Sequence, residues 1–295
     1  MTSNRFKCLY LGVLAGGSIL LSAIHILTDG AKLIALFCVL LIAGLGVAAF
    51  RYRNKLVLSP AVSTVSETFS TSALGFLFLT VLLASLYFKS APAGTLAYTE
   101  DVNRIVSAFV KVFAGISVLY FLLSAAWLGL QEQFGLHLAL SFAPVLFFAV
   151  RILNEFINSS TNPLAESRGY LMFSLIFFML FFLSESKAMV IRGNAFPCLL
   201  FGAAAVVSST VYNTSNLIHY LNGETSAIGA VYSILSLALA IHVIIRLANL
   251  PSLFPESEEL VLHEDELVMD RDVVYVKSAP DTDALTEQGE AAEKE

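Results

Sequence analysis

Arg151, Asn154, Glu155 and Asn158 interrupt an otherwise apolar stretch at i, i+3, i+4 and i+7, a single helical stripe. A guanidinium, a carboxylate and two amides so arranged supply paired charge and adaptable hydrogen bonds. That equipment suits holding a polar solute better than breaking a covalent bond. Arg151 and Glu155 stand one helical turn apart and can pair. A second stripe, Ser209, Tyr212, Asn216 and His219, falls at i, i+3, i+7 and i+10 of another apolar stretch. Polar groups inside apolar helices are costly, so they mark the first places to look for a site. The two stripes are expected to line one polar cavity between the helices that carry them. Solvated helix ends beyond an apolar layer would show the same spacing, and both readings stand at this point.

Other chemistries find little support. The chain contains no H-E-x-x-H, no phosphate-binding glycine loop and no G-x-S-x-G, so zinc-protease, nucleotide and α/β-hydrolase mechanisms lack their motifs. Ser215 and His219 sit at i, i+4, a spacing that arises by chance and lacks a third, orienting group. The five histidines, His25, His137, His219, His242 and His263, form no pair at metal-ligand spacing. Cys8, Cys38 and Cys198 are far apart, an odd number with no C-x-x-C unit, and read as small buried hydrophobes. No catalytic residue, metal ligand or cofactor is assigned, and an enzyme is not expected.

The elements that must position the stripes are written in the composition. Of 295 residues, 57% are hydrophobic and 14% charged, where soluble proteins carry about 25% charged residues. Apolar residues come in unbroken blocks of helical, bilayer-spanning length. The blocks run roughly 8–27, 31–50, 72–88, 105–128, 136–153, 170–184, 196–212 and 227–248. They predict an all-α, polytopic transmembrane bundle of about eight spans over 1–254. The turn at Thr28, Asp29 and Gly30 is short enough to force the first two into an antiparallel hairpin. Pro197 falls at a helix start, whereas Pro144 falls inside the fifth block, where a kink is expected. Glu67 falls in the polar stretch before the third block, and Glu185 with Lys187 after the sixth; a capping or loop role is expected for the latter two.

With the N-terminus inside, cytoplasmic segments hold eight Lys and Arg residues and external ones five, with Lys111 placed just inside the fourth span. This bias predicts a multi-pass protein of the cell membrane with both termini cytoplasmic. It would put both polar stripes in the outer half. Blocks also end three times in Arg-x-x-Asn, at Arg51, Arg151 and Arg246, each followed by a proline and then a glutamate. The spacing divides the chain into three-helix units and a helix pair, as in transporters built from inverted repeats. Arginine followed by asparagine is equally a common way to end a helix.

From Glu256 onward there are fourteen acidic and three basic residues, against nine and fourteen before it. Residues 255–295 therefore read as an acidic cytoplasmic tail, disordered after 279, with a possible short β segment at 260–277 built from Leu260–Leu262 and Asp272–Val276. Its charge would repel phosphate, which argues against nucleic acid as a partner. The expected partners are the lipid bilayer and, through the tail, a cytoplasmic protein. Two functions remain: a permease-like or receptor-like protein with a small-solute cavity between helices five and seven, or a membrane scaffold or signalling subunit that presents the tail.

Overall fold

The computed structural model describes residues 3–28, 31–51, 53, 64–87, 97–126, 134–160, 168–190, 195–224, 226–250, 267–270 and 273–276. Among these described residues, eight helices carry the first part of the chain: α1 (Ser3–Leu27), α2 (Ala31–Arg51), α3 (Val65–Tyr87), α4 (Ala97–Ala126), α5 (Phe134–Ser160), α6 (Arg168–Val190), α7 (Phe196–Leu221) and α8 (Ala227–Ala248). Each is long and apolar enough to cross a membrane, with mean hydropathy between 1.4 and 2.8 over the most apolar stretch of each. Large apolar side chains such as Ile19, Leu40, Phe76, Phe109, Phe156 and Ile241 face outward. Such a surface is unfavourable in water and favourable in lipid.

Helices α3 to α8 each pack on the next, and α8 returns to α3, so six helices close a ring. The pair α1–α2 packs against α7, with α1 also touching α8. Tyr10 on α1 donates to the Leu199 carbonyl of α7 at 2.9 Å, and Lys7 donates to the Leu250 carbonyl. Flanked on several sides, α7 is the most enclosed helix, and its run of Gly202, Ala203, Ala204 and Ala205 is buried. A Cβ at Gly202 would stand 3.0–3.2 Å from Val243, Leu247 and Phe181. A glycine is needed for that approach.

Phenylalanines fill the middle of the ring. Phe78 of α3 stacks on Phe121 of α4 at 5.2 Å and meets Phe147 of α5 edge-on at 5.0 Å. Phe148 stacks on Phe178 and Phe182 of α6 at 5.6 and 5.9 Å. All six are at most 1% exposed. These offset and edge-on pairs add to the burial of their area.

Helix ends follow their local signals. Pro197 lies in the first turn of α7, while α5 continues through Pro144. The sharp link from α7 to α8 uses Gly223 at φ +78°, whose N–H donates to Tyr220 O. Ser226 then caps α8, its hydroxyl accepting from the Gly229 N–H at 3.3 Å. Cys38 and Cys198 are buried as expected, but Cys8 is exposed on α1.

Pro255–Glu295 is a separate unit. Within it, β1 (Leu267–Asp270) pairs antiparallel with β2 (Val273–Val276), Leu267 opposite Val276 and Asp270 opposite Val273. The partner of the 273–276 strand is thus the adjacent segment, two residues away, the connection length favoured in hairpins. Residues 260–262 and everything after 276 lie outside the described residues.

Candidate functional site

A cavity of about 720 Å³ lies inside the ring toward the end where α8 begins, lined mainly by α4, α5, α7 and α8, with Ser85 of α3 and Leu171 and Leu175 of α6. It falls within the size range of small-molecule sites, about 300–1,000 Å³. Phe147 and Phe148 line it from the aromatic core, so one wall of the cavity is the packing that fills the ring. One turn above them, Arg151 pairs with Glu155 at 2.5 Å, both side chains under one-fifth exposed. The Arg151 guanidinium also lies 3.7 Å from the centre of the Tyr232 ring on α8. Stacked on one side and paired on another, it is held in place while still lining the cavity.

Lys111 of α4 and Asn154 of α5 complete the polar lining on that side. Neither makes a hydrogen bond or ion pair with any described residue, and the Asn154 Oδ1 is fully buried. On the opposite wall, Asn216 of α7 donates to Ser233 at 2.7 Å and to the Gly229 carbonyl at 3.4 Å. Deeper, Ser209 donates to the Ser236 carbonyl at 3.1 Å, and Asn213 donates back to Ser209 O at 2.8 Å. These bonds fasten α7 to α8 and fix the wall.

Of the eight residues singled out from sequence, Arg151, Asn154, Glu155, Tyr212 and Asn216 line this cavity. Ser209 is fully buried below it and engaged between α7 and α8. His219 is half-exposed and pairs with Glu224 in the following turn. It lies in the last turn of α7, beyond the cavity-lining Asn216. The Asn158 side chain lies outside the described residues. Sequence reasoning missed Asn213, although Ser209 and Asn213 are an i, i+4 pair. It also left Lys111 without a role, although a lone lysine in an apolar span is itself a signal.

A second charged centre lies at the opposite end of the ring. Arg246 of α8 donates through Nε to Glu185 of α6 at 2.7 Å and through Nη1 to Glu67 of α3 at 3.0 Å. All three are under 9% exposed. Thr64 and Glu67 form a reciprocal capping box at the start of α3, Thr64 N donating to Glu67 Oε2 and Glu67 N to Thr64 Oγ1, both 3.3 Å. Asn249, which caps α8, donates to Thr64 Oγ1 at 3.0 Å. The Arg-x-x-Asn of α8 therefore grips the Thr-x-x-Glu of α3. One turn along, Ser70 and His242 are 3.0 Å apart, and His242 stands edge-on to Phe121.

This centre corrects the loop role expected for Glu185. Helix α6 runs to Val190, six residues beyond the apolar block, so Glu185 is inside the helix and buried. Glu67 likewise belongs to the first turn of α3 rather than to a linker. The local signal was Thr64-x-x-Glu67, but nothing local shows that α3, α6 and α8 meet there. Among the described residues, no three His, Cys, Asp or Glu side chains gather as a metal site.

Comparison with known protein families, curated proteins and solved structures finds no match.

Proposed function

We propose that this chain is a multi-pass membrane protein that takes up a small polar solute in the cavity between α4, α5, α7 and α8, as a permease or a solute receptor. The observation that carries this reading is a ligand-sized cavity with Lys111, Asn154 and the Arg151–Glu155 pair on one side. Such groups are expensive among apolar helices and persist where they face water or a ligand. Beyond the cavity, the phenylalanine cluster fills the middle of the ring and the Glu67–Arg246–Glu185 centre lies at the other end. A solute entering the cavity would stop against that plug. A permease would have to loosen the plug to release the solute beyond it; a receptor would not.

The excess of Lys and Arg in segments on the side of the N-terminus supports cytoplasmic termini and a cavity that opens outward. Thiol labelling of single cysteines along 147–158 and 205–220, in intact cells carrying an otherwise cysteine-free protein, tests this. Labelling from outside at 151, 154, 155, 212 and 216, with the intervening outward-facing positions silent, is the expected pattern. Labelling confined to the last turn of each helix would reduce both stripes to solvated ends and remove the solute site.

A second reading, a scaffold that presents its acidic tail, draws support from the β1–β2 hairpin, whose edges could pair with a partner's strand. Deleting 256–295 separates the two: a solute-handling bundle keeps its labelling pattern and activity, whereas a scaffold loses its function with the tail.

A further inference from the structure

The same Arg-x-x-Asn motif appears at the two ends of the ring with different surroundings. In α8, Arg246 and Asn249 meet two glutamates and a threonine hydroxyl supplied by the protein. In α5, Arg151 has one glutamate, and Asn154 has no partner among the described residues. A ligand in the cavity stands where the protein's own carboxylate and hydroxyl stand at the other end.

Charge points the same way. The cavity lining carries two cations, Lys111 and Arg151, and one anion, Glu155. Glu155 is taken by Arg151, which leaves the Lys111 ammonium uncompensated by any described residue. Ala227 and Ile228 in the first turn of α8 also line the cavity, and first-turn N–H groups lack intrahelical acceptors. The positive end of the α8 dipole adds to the field of Lys111. In a cleft with apolar walls such a field concentrates counter-charge.

From this we infer that the solute is a small organic anion, a carboxylate that docks on Lys111 beside Arg151 and carries a neighbouring polar group for Asn154. Lys111 supplies the charge, the Arg151–Glu155 pair supplies donors on a fixed plane, and Asn154 distinguishes a substituted carboxylate from a plain one. The inference rests on the cavity being a solute site, and its test separates the two ideas.

The test uses the full-length protein in detergent micelles with Cys8, Cys38 and Cys198 replaced by alanine and Ser107→Cys introduced. Ser107 lines the cavity one turn before Lys111. Labelling rates are measured with an anionic sulfonate and a cationic trimethylammonium methanethiosulfonate, each normalised to its rate with a free thiol. The anionic reagent is expected to react about tenfold faster, and Lys111→Gln should bring the ratio near one. Succinate should slow labelling, and the size-matched neutral succinamide should not.

Faster labelling by the cation would overturn the anion assignment while leaving a solute cavity in place. Protection by inorganic phosphate but not by succinate would overturn the carboxylate. Labelling by neither reagent would remove the solute site, and this inference with it. If Lys111→Gln fails to fold, the reagent ratio on the unsubstituted lysine background still decides the sign of the field.

Discussion

The two ends of the six-helix ring hold similar side chains and treat them oppositely. At the end where α8 finishes, Arg246, Glu67, Glu185, Thr64 and Asn249 consume one another's hydrogen-bonding capacity, and the charges are sealed from solvent. At the end where α8 begins, Arg151 and Glu155 pair but border an open volume, with Lys111 and Asn154 unengaged by any described residue. A buried ion pair is therefore not by itself a site. What marks a site is polar capacity left over beside space for a ligand. The first centre fastens three helices together; the second is built to be completed from outside.

The comparison breaks most readily at the arginines. Arg246→Met should leave two buried carboxylates without their cation and cost about 3–5 kcal/mol, read as a large drop in thermal stability or loss of folded protein. Arg151→Met removes one pair, and the Glu155 left behind borders the cavity, so it should cost less, about 1–2 kcal/mol. Equal losses for the two would dissolve the distinction between a locked end and an open one. Next in size is Gly75→Ala on α3, where a Cβ would stand 2.7–2.8 Å from the Leu122 side chain of α4. Forcing those helices apart should cost about 1–3 kcal/mol, and it should loosen the closed end without altering the charges at either.

A smaller effect sharpens the picture of the sealed centre. Among the described residues two of its carboxylates face one guanidinium, and Glu67→Gln removes one of the two charges. Glutamine has a single acceptor oxygen, so it can hold either the Thr64 N–H or Arg246 but not both, while the Arg246–Glu185 pair survives. The single change should therefore cost about 1–2 kcal/mol, less than Arg246→Met, while Glu67→Gln with Glu185→Gln should approach the loss seen for Arg246→Met. If Glu67→Gln alone proved as damaging as the double change, the view of Glu185 as a sufficient partner would be wrong. Smallest is Asn249→Ala, which drops the bond to Thr64 and should cost about 1 kcal/mol, measured by thermal unfolding in detergent.

Much of the bundle was legible from sequence because a helix apolar on every side leaves a plain record. The eight apolar blocks correspond to α1 to α8, and the Thr28–Gly30 link and Pro197 mark helix ends. Ring closure was not legible: nothing in the order of blocks says that α8 returns to α3. That contact decides the fate of Glu67, Glu185 and Arg246, which look like three ordinary helix-end residues when read one helix at a time. Stripe reasoning worked over two turns of α5, where Arg151, Asn154 and Glu155 stay together. It failed over three turns of α7, where His219, in the last turn, pairs with Glu224 instead and Asn213 joins the cavity lining. Lys111 was visible as a lone cation in an apolar block, but its meaning depended on α5 and α8 standing opposite.

The contrast between the ends is tested most directly by placing one cysteine at each in the same cysteine-free protein, Asn154→Cys and Ser70→Cys, and exposing membranes open on both sides to a small hydrophilic thiol reagent. Rapid labelling is expected at 154, in the cavity, and none at 70, beneath His242 in the sealed centre. Comparable labelling at both positions would mean that water reaches the Glu67–Arg246–Glu185 centre as freely as the cavity, and a ring open at one end and locked at the other would be contradicted.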